Sequence, residues 1–230
     1  MAREESVSLS GETNGIGLPH SRAGGAVPLE NPAPGPGADQ MEAFLTSTAI
    51  VALAEIGDKT QLLAIVLATR FKRPVPIIFG IFFATIANHF LAAFAGSQIA
   101  SLLDGPTFRY IVAASFILMA AWTLIPDKLD EKKDKPARFG PFLTTLFAFF
   151  LVEMGDKTQI ATIALGARFH DVVAVTSGTT LGMMLANVPA VFLGHALIKR
   201  VPLRVVHGIA ALLFLGIGLW VLAETAGWIG

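Results

Sequence analysis

Glu55-Ile56-Gly57-Asp58-Lys59-Thr60-Gln61 and Glu153-Met154-Gly155-Asp156-Lys157-Thr158-Gln159 are one phrase written twice with a single apolar exchange. Both copies lie inside apolar stretches long enough to cross a bilayer, which takes about 20 residues of helix. A charged side chain at membrane depth costs about 2.5–3.5 kcal/mol on insertion scales. The six charges in the two copies therefore disfavour insertion by about 15–20 kcal/mol before any partner is counted. A sequence that repeats such a cost in the same order needs partners for those charges. The doubled phrase predicts a membrane protein made of two related halves.

The rest of the composition agrees. Hydrophobic residues make up 53% of the 230, charged residues 15%, and mean hydropathy is +0.64. The formal net charge is zero, and the charges are clustered, so no acidic or basic partner and no nucleic acid is implied. The absence of cysteine excludes disulfides, thiolate metal sites and thiol catalysis. Residues 1–40 hold Pro19, Pro28, Pro32, Pro34 and Pro36 and few large apolar side chains, the mark of a disordered tail. That segment lacks the basic start and apolar run of a signal peptide. Met41 opens the apolar part and is a candidate initiator.

Six apolar spans follow, at 43–68, 75–100, 108–125, 141–167, 172–198 and 203–224. Pro74, Pro106, Pro141 and Pro202 stand at or beside helix starts, where a missing N–H costs nothing. The predicted fold is an all-α membrane protein of six transmembrane helices: repeat 1 at 41–125, a charged loop at 126–140, repeat 2 at 141–230. Arg70, Lys72, Arg73, Lys128, Lys132, Lys133, Lys135, Arg138, Lys199, Arg200 and Arg204 fall in the first, third and fifth loops, leaving Arg3, Arg22, Arg109 and Arg168 for the opposite side. Positive loops face the cytoplasm, so both termini are expected outside it. Three spans per half then make the repeats inverted, an architecture that places transport sites near the midplane where the repeats meet. The second span of each half also repeats an Ala-Asn pair, Ala87-Asn88 and Ala186-Asn187, with Gly96 and Gly194 following.

On a continuous helix, residues three apart share a face, so Glu55 projects with Asp58 and Glu153 with Asp156. Inverted symmetry brings the two pairs together, with amide oxygens available from Gln61, Gln159, Asn88 and Asn187. An all-oxygen set suits hard cations such as Ca²⁺, Mg²⁺ or Mn²⁺. Crowded carboxylates cannot all stay ionised without a counter-charge, so protons and a divalent cation compete for the same oxygens. Gly57 and Gly155 permit either a kink or close helix packing, and the sequence leaves both open. Lys59 and Lys157 are expected to pair with acids across the interface rather than to snorkel. His89 reads as a hydrogen-bonded structural histidine before a proton shuttle. His195 and His207 read as interfacial, as do Trp122, Trp220 and Trp228.

The doubled E-x-G-D-K-T phrase in the first and fourth of six spans, with a charged central loop, resembles the Gdt1 family of membrane cation transporters over residues 41–230. The resemblance implies a cation/proton exchanger with Glu55, Asp58, Glu153 and Asp156 as ion-binding acids. It implies Mn²⁺ or Ca²⁺ as transported substrate, not as a cofactor; the compact six-span core without a recognisable eukaryotic signal predicts a bacterial inner membrane as the setting. An exporter of small organic cations or amino acids is the alternative within transport. A non-transporting assembly subunit is the alternative outside it. An intramembrane hydrolase finds no support, since neither H-E-x-x-H nor G-x-S-x-G occurs; the protein is expected not to be an enzyme.

Overall fold

The computed structural model describes residues 36–103, 105–125, 139–194 and 202–229, and among them every regular element is an α-helix. In chain order these are α1 (Pro36–Glu55), α2 (Lys59–Phe71), α3 (Pro74–Leu102), α4 (Pro106–Thr123), α5 (Pro141–Glu153), α6 (Lys157–Phe169), α7 (Val172–Leu193) and α8 (Leu203–Thr225). Pro74, Pro106 and Pro141 occupy the first turns of α3, α4 and α5. The charged segment 126–138, residues 1–35 and His195 lie outside the described residues. Helix α1 begins at Pro36, inside the stretch read from sequence as tail.

Two predicted spans are not continuous helices. The first is α1 followed by α2, and the fourth is α5 followed by α6, each broken at the motif glycine. Gly57 has φ +85° and Gly155 φ +81°, a region an L side chain enters at a cost of about 1–2 kcal/mol. The chain then turns tightly: the Asp58 and Asp156 amides donate to the Glu55 and Glu153 carbonyls, each at 3.0 Å. Asp58 and Asp156 are extended and stand at the N-caps of α2 and α6. Of the two uses left open for the glycines, the break is the one both copies share. Helices α3, α7 and α8 are each long and apolar enough to cross a membrane, and α5 is a shorter apolar helix.

Packing exchanges partners between the halves. Helix α1 lies against α7, α5 against α3, α3 against α6 and α7, and α4 against α8. Small residues allow the closest approaches, as is common between membrane helices. A Cβ on Gly178 would stand 2.4 Å from the Phe44 carbonyl oxygen, and one on Gly182 2.6 Å from that of Thr48, so α7 touches the backbone of α1. Gly96 and Gly166 do the same for α3 and α6. Gly96 and Gly194, paired in the sequence pattern, play different parts: Gly96 is mid-helix, whereas Gly194 ends α7 with φ +56°. One apolar cluster, with Ile77, Ile81, Phe149 and Met183, joins α3, α5 and α7; another holds Phe116, Leu165 and Phe214. Trp220 and Trp228 are exposed, as the sequence reading has them.

Candidate metal centre

The two helix breaks bring the motif acids together in a different way from the expected shared helix face. Glu55 is the last residue of α1 and Asp58 caps α2, so the pair is spread across a turn. Even so, Glu55, Asp58 and Asp156, all buried, each offer a carboxylate oxygen within 4.8 Å of the other two. Oxygens on opposite sides of a Ca²⁺ ion stand about 4.6–5.2 Å apart, twice its bond length, and those around a smaller cation somewhat closer. A spacing within that limit is compatible with one shared cation. Neither aspartate makes a side-chain cap, and the positive N-terminal ends of α2 and α6 favour negative charge there.

Glu153 stands outside this trio. It is fully buried, and its Oε2 lies 3.3 Å from Nε2 of fully buried His89 on α3. The copies, identical in sequence at these acids, therefore have different surroundings. The position in α7 that corresponds to His89 is Val188, so the repeat does not supply Glu55 with the matching imidazole. In the other copy the Thr60 hydroxyl donates to Oε2 of Glu55. The remaining oxygen of Glu55 has no hydrogen-bond partner among the described residues, which is costly for a buried acid and consistent with a ligand position.

Of the four amide residues, the two glutamines hold the breaks. Gln61 Oε1 accepts the Gly57 amide at 2.9 Å while its Nε2 donates to the Ala186 carbonyl at 3.0 Å. Gln159 Oε1 accepts the Gly155 amide at 2.6 Å, and its Nε2 donates to Oδ1 of Asn88 at 2.9 Å. Asn88 in turn donates to the Phe150 carbonyl at 3.1 Å. Each glutamine thus satisfies a backbone N–H freed by the turn and ties the break to the other half. Asn187 donates to the Met183 carbonyl at 3.1 Å, and its Oδ1 is without a partner among the described residues.

The two lysines diverge. Lys59 Nζ lies 2.8 Å from Oδ1 of Asp156, the cross-repeat pairing expected of it. Lys157 donates at 2.7 Å to the Ile125 carbonyl just beyond α4, with its ammonium 6.0 Å from the Trp122 ring centre. His207, read from sequence as interfacial, is half-buried, with Nε2 2.9 Å from the Ile56 carbonyl. Leu203, four residues earlier on α8, covers Gly57. No sequence pattern marked these two as supports of the first break, because the second break has no counterpart to them in the repeat.

The model of the family described as "Divalent cation/proton antiporter GDT1" matches twice, at residues 43–131 and 141–228. A Vibrio cholerae protein named "Putative manganese exporter" is 49% identical over 176 residues, covering 76% of this chain and 88% of its own. "GDT1-like protein 3" of Oryza sativa subsp. indica is 30% identical over 208 residues, covering 79% and 73%. "GDT1-like protein sll0615" of Synechocystis is 28% identical over 195 residues, covering 76% and 93%. No solved structure gives a significant match. With both halves matched by one family model, the chain belongs to the GDT1 family of membrane divalent cation/proton antiporters.

Proposed function

We propose that this protein is a secondary antiporter that carries Mn²⁺ out of the cytoplasm in exchange for protons, with Ca²⁺ as a competing substrate. The observation that carries the reading is the buried trio Glu55, Asp58 and Asp156, drawn from both motif copies and spaced to surround one cation. Carboxylates that bind either the metal or protons, never both at once, couple the two fluxes without further parts. The relative named for manganese export supports the choice of metal. In this reading the chain crosses a bacterial inner membrane six times as two inverted three-span halves, each first span interrupted at its motif. Both termini then face away from the cytoplasm, as the basic loops predict.

Everted membrane vesicles loaded with a pH-sensitive dye test this. Adding Mn²⁺ should release protons in the wild type. Asp58→Asn and Asp156→Asn should each lower that flux by at least about 10–100-fold, the range seen when groups that merely orient metal ligands are lost. Undiminished flux in both variants would remove the trio from the mechanism.

A further inference from the structure

Threonines in a helix ordinarily satisfy their hydroxyl on the carbonyl four residues back. Thr48, Thr69, Thr145 and Thr162 do so here at 2.7–2.8 Å. Thr176 and Thr180 on α7 do not. They are 8% and 5% exposed, and neither hydroxyl has a hydrogen-bond partner among the described residues. A buried polar group left unmade is destabilising by about 1–3 kcal/mol, so two adjacent ones need a reason.

Both line a cleft of about 330 Å³ between α3 and α7, walled also by Phe82, Ile86 and Met184. That volume holds several waters at about 30 Å³ each. Ser177 is common to this cleft and to a second of about 290 Å³, which reaches Gly37 and Asp171 near the starts of α1 and α7. At 100° per residue, Thr176, Thr180 and Asn187 fall within about 40° of one another over about 16 Å of α7, with Met183 between the threonines and the asparagine. Asn187 presents the unpartnered Oδ1, and its neighbour Ala186 accepts the hydrogen bond from Gln61 of the first motif. That hydrogen bond links this end of the helix face to the first motif.

We propose that the α3–α7 cleft is the water-filled route joining the metal centre to the membrane face that bears the α6–α7 connection, with the Thr176 and Thr180 hydroxyls as oxygen ligands for a partly dehydrated divalent cation in passage. This rests on the exchanger reading above. The route belongs to one half. At the spacing that relates Asn187 to Asn88, α3 carries Ile77 and Ile81, both fully buried in an apolar cluster. Those two side chains seal the equivalent path on the opposite side.

The chain has no cysteine, so single thiols can be placed without background. In vesicles of either orientation, Thr176→Cys and Thr180→Cys should react with a charged, membrane-impermeant methanethiosulfonate from the α6–α7 face alone, and Mn²⁺ should slow that reaction severalfold. Thr176→Val combined with Thr180→Val should lower Mn²⁺ flux about tenfold, while the paired serine variants keep it. Valine removes only unpartnered hydroxyls, so folding is not put at risk. Reaction with a lipid-soluble maleimide but not with the charged reagent would put acyl chains in the cleft and overturn the route. Full flux in the double valine variant would overturn it too. Wild-type proton release in the same vesicles tests exchange separately: labelled, Mn²⁺-protected thiols without that release would keep the route and remove the exchanger.

Discussion

At Gly155 an added methyl group would meet nothing within 4 Å among the described residues, yet the residue sits at φ +81°. Gly57 has the same backbone but a Cβ there would stand 2.6 Å from a Leu203 methyl. The two glycines therefore separate backbone strain from crowding. Gly155→Ala should lower stability by about 1–2 kcal/mol, the left-handed penalty alone. Gly57→Ala should lose more, and Leu203→Ala should bring the two losses closer together; thermal melting in detergent measures all three. Equal losses at both glycines would show that Leu203 gives way freely. The acids and Lys59 were legible in the sequence because duplication singled them out. Glu153 was legible as a motif acid, but not as the partner of His89, since residues 64 positions apart in sequence share no local pattern. The glutamines were read as ligands because an amide oxygen in a polar phrase looks like one. Their work on the Gly57 and Gly155 amides depends on a turn that residue type alone left undecided.

Helices α3 and α6 meet backbone to backbone. A Cβ on Gly96 would lie 2.0 Å from the Ile163 carbonyl oxygen, and one on Gly166 2.4 Å from that of Ala93. Neither neighbour is a flexible side chain, so the helices themselves must part. Gly96→Ala should cost about 1–3 kcal/mol, the usual range for overpacking, and should weaken the Gln159–Asn88 hydrogen bond one helix face away. Lower melting temperature together with reduced Mn²⁺ flux is the expected result; an unchanged melt would mean that the seam is loose. Apolar run length located α3, α4, α7 and α8 within a few residues, because each is one helix bounded by proline or glycine. It merged α1 with α2 and α5 with α6, because a three-residue break barely lowers hydropathy over a window of 20.

Across the whole molecule, the sequence halves are not the packing halves. The helix before the motif in each half lies against a long helix of the other, α1 on α7 and α5 on α3. Duplication was visible in the sequence; this exchange of partners was not, since it is written in glycines such as Gly178 and Gly182 whose neighbours lie on a distant helix. Residues 1–131 and 132–230 produced separately should each fail to give Mn²⁺ flux, and together should restore a measurable part of it. Flux from either half alone, as a pair of identical pieces, would contradict the exchange.

Biogenesis inherits an ordering problem from the ion pair between Lys59 and Asp156. At about 5–20 residues per second, the ribosome needs roughly 5–20 s to deliver the aspartate after the lysine. For that interval the Lys59 ammonium must do without the aspartate that later lies 2.8 Å away. Early spans must then linger near the translocon, or borrow water there, until the later ones arrive to release them.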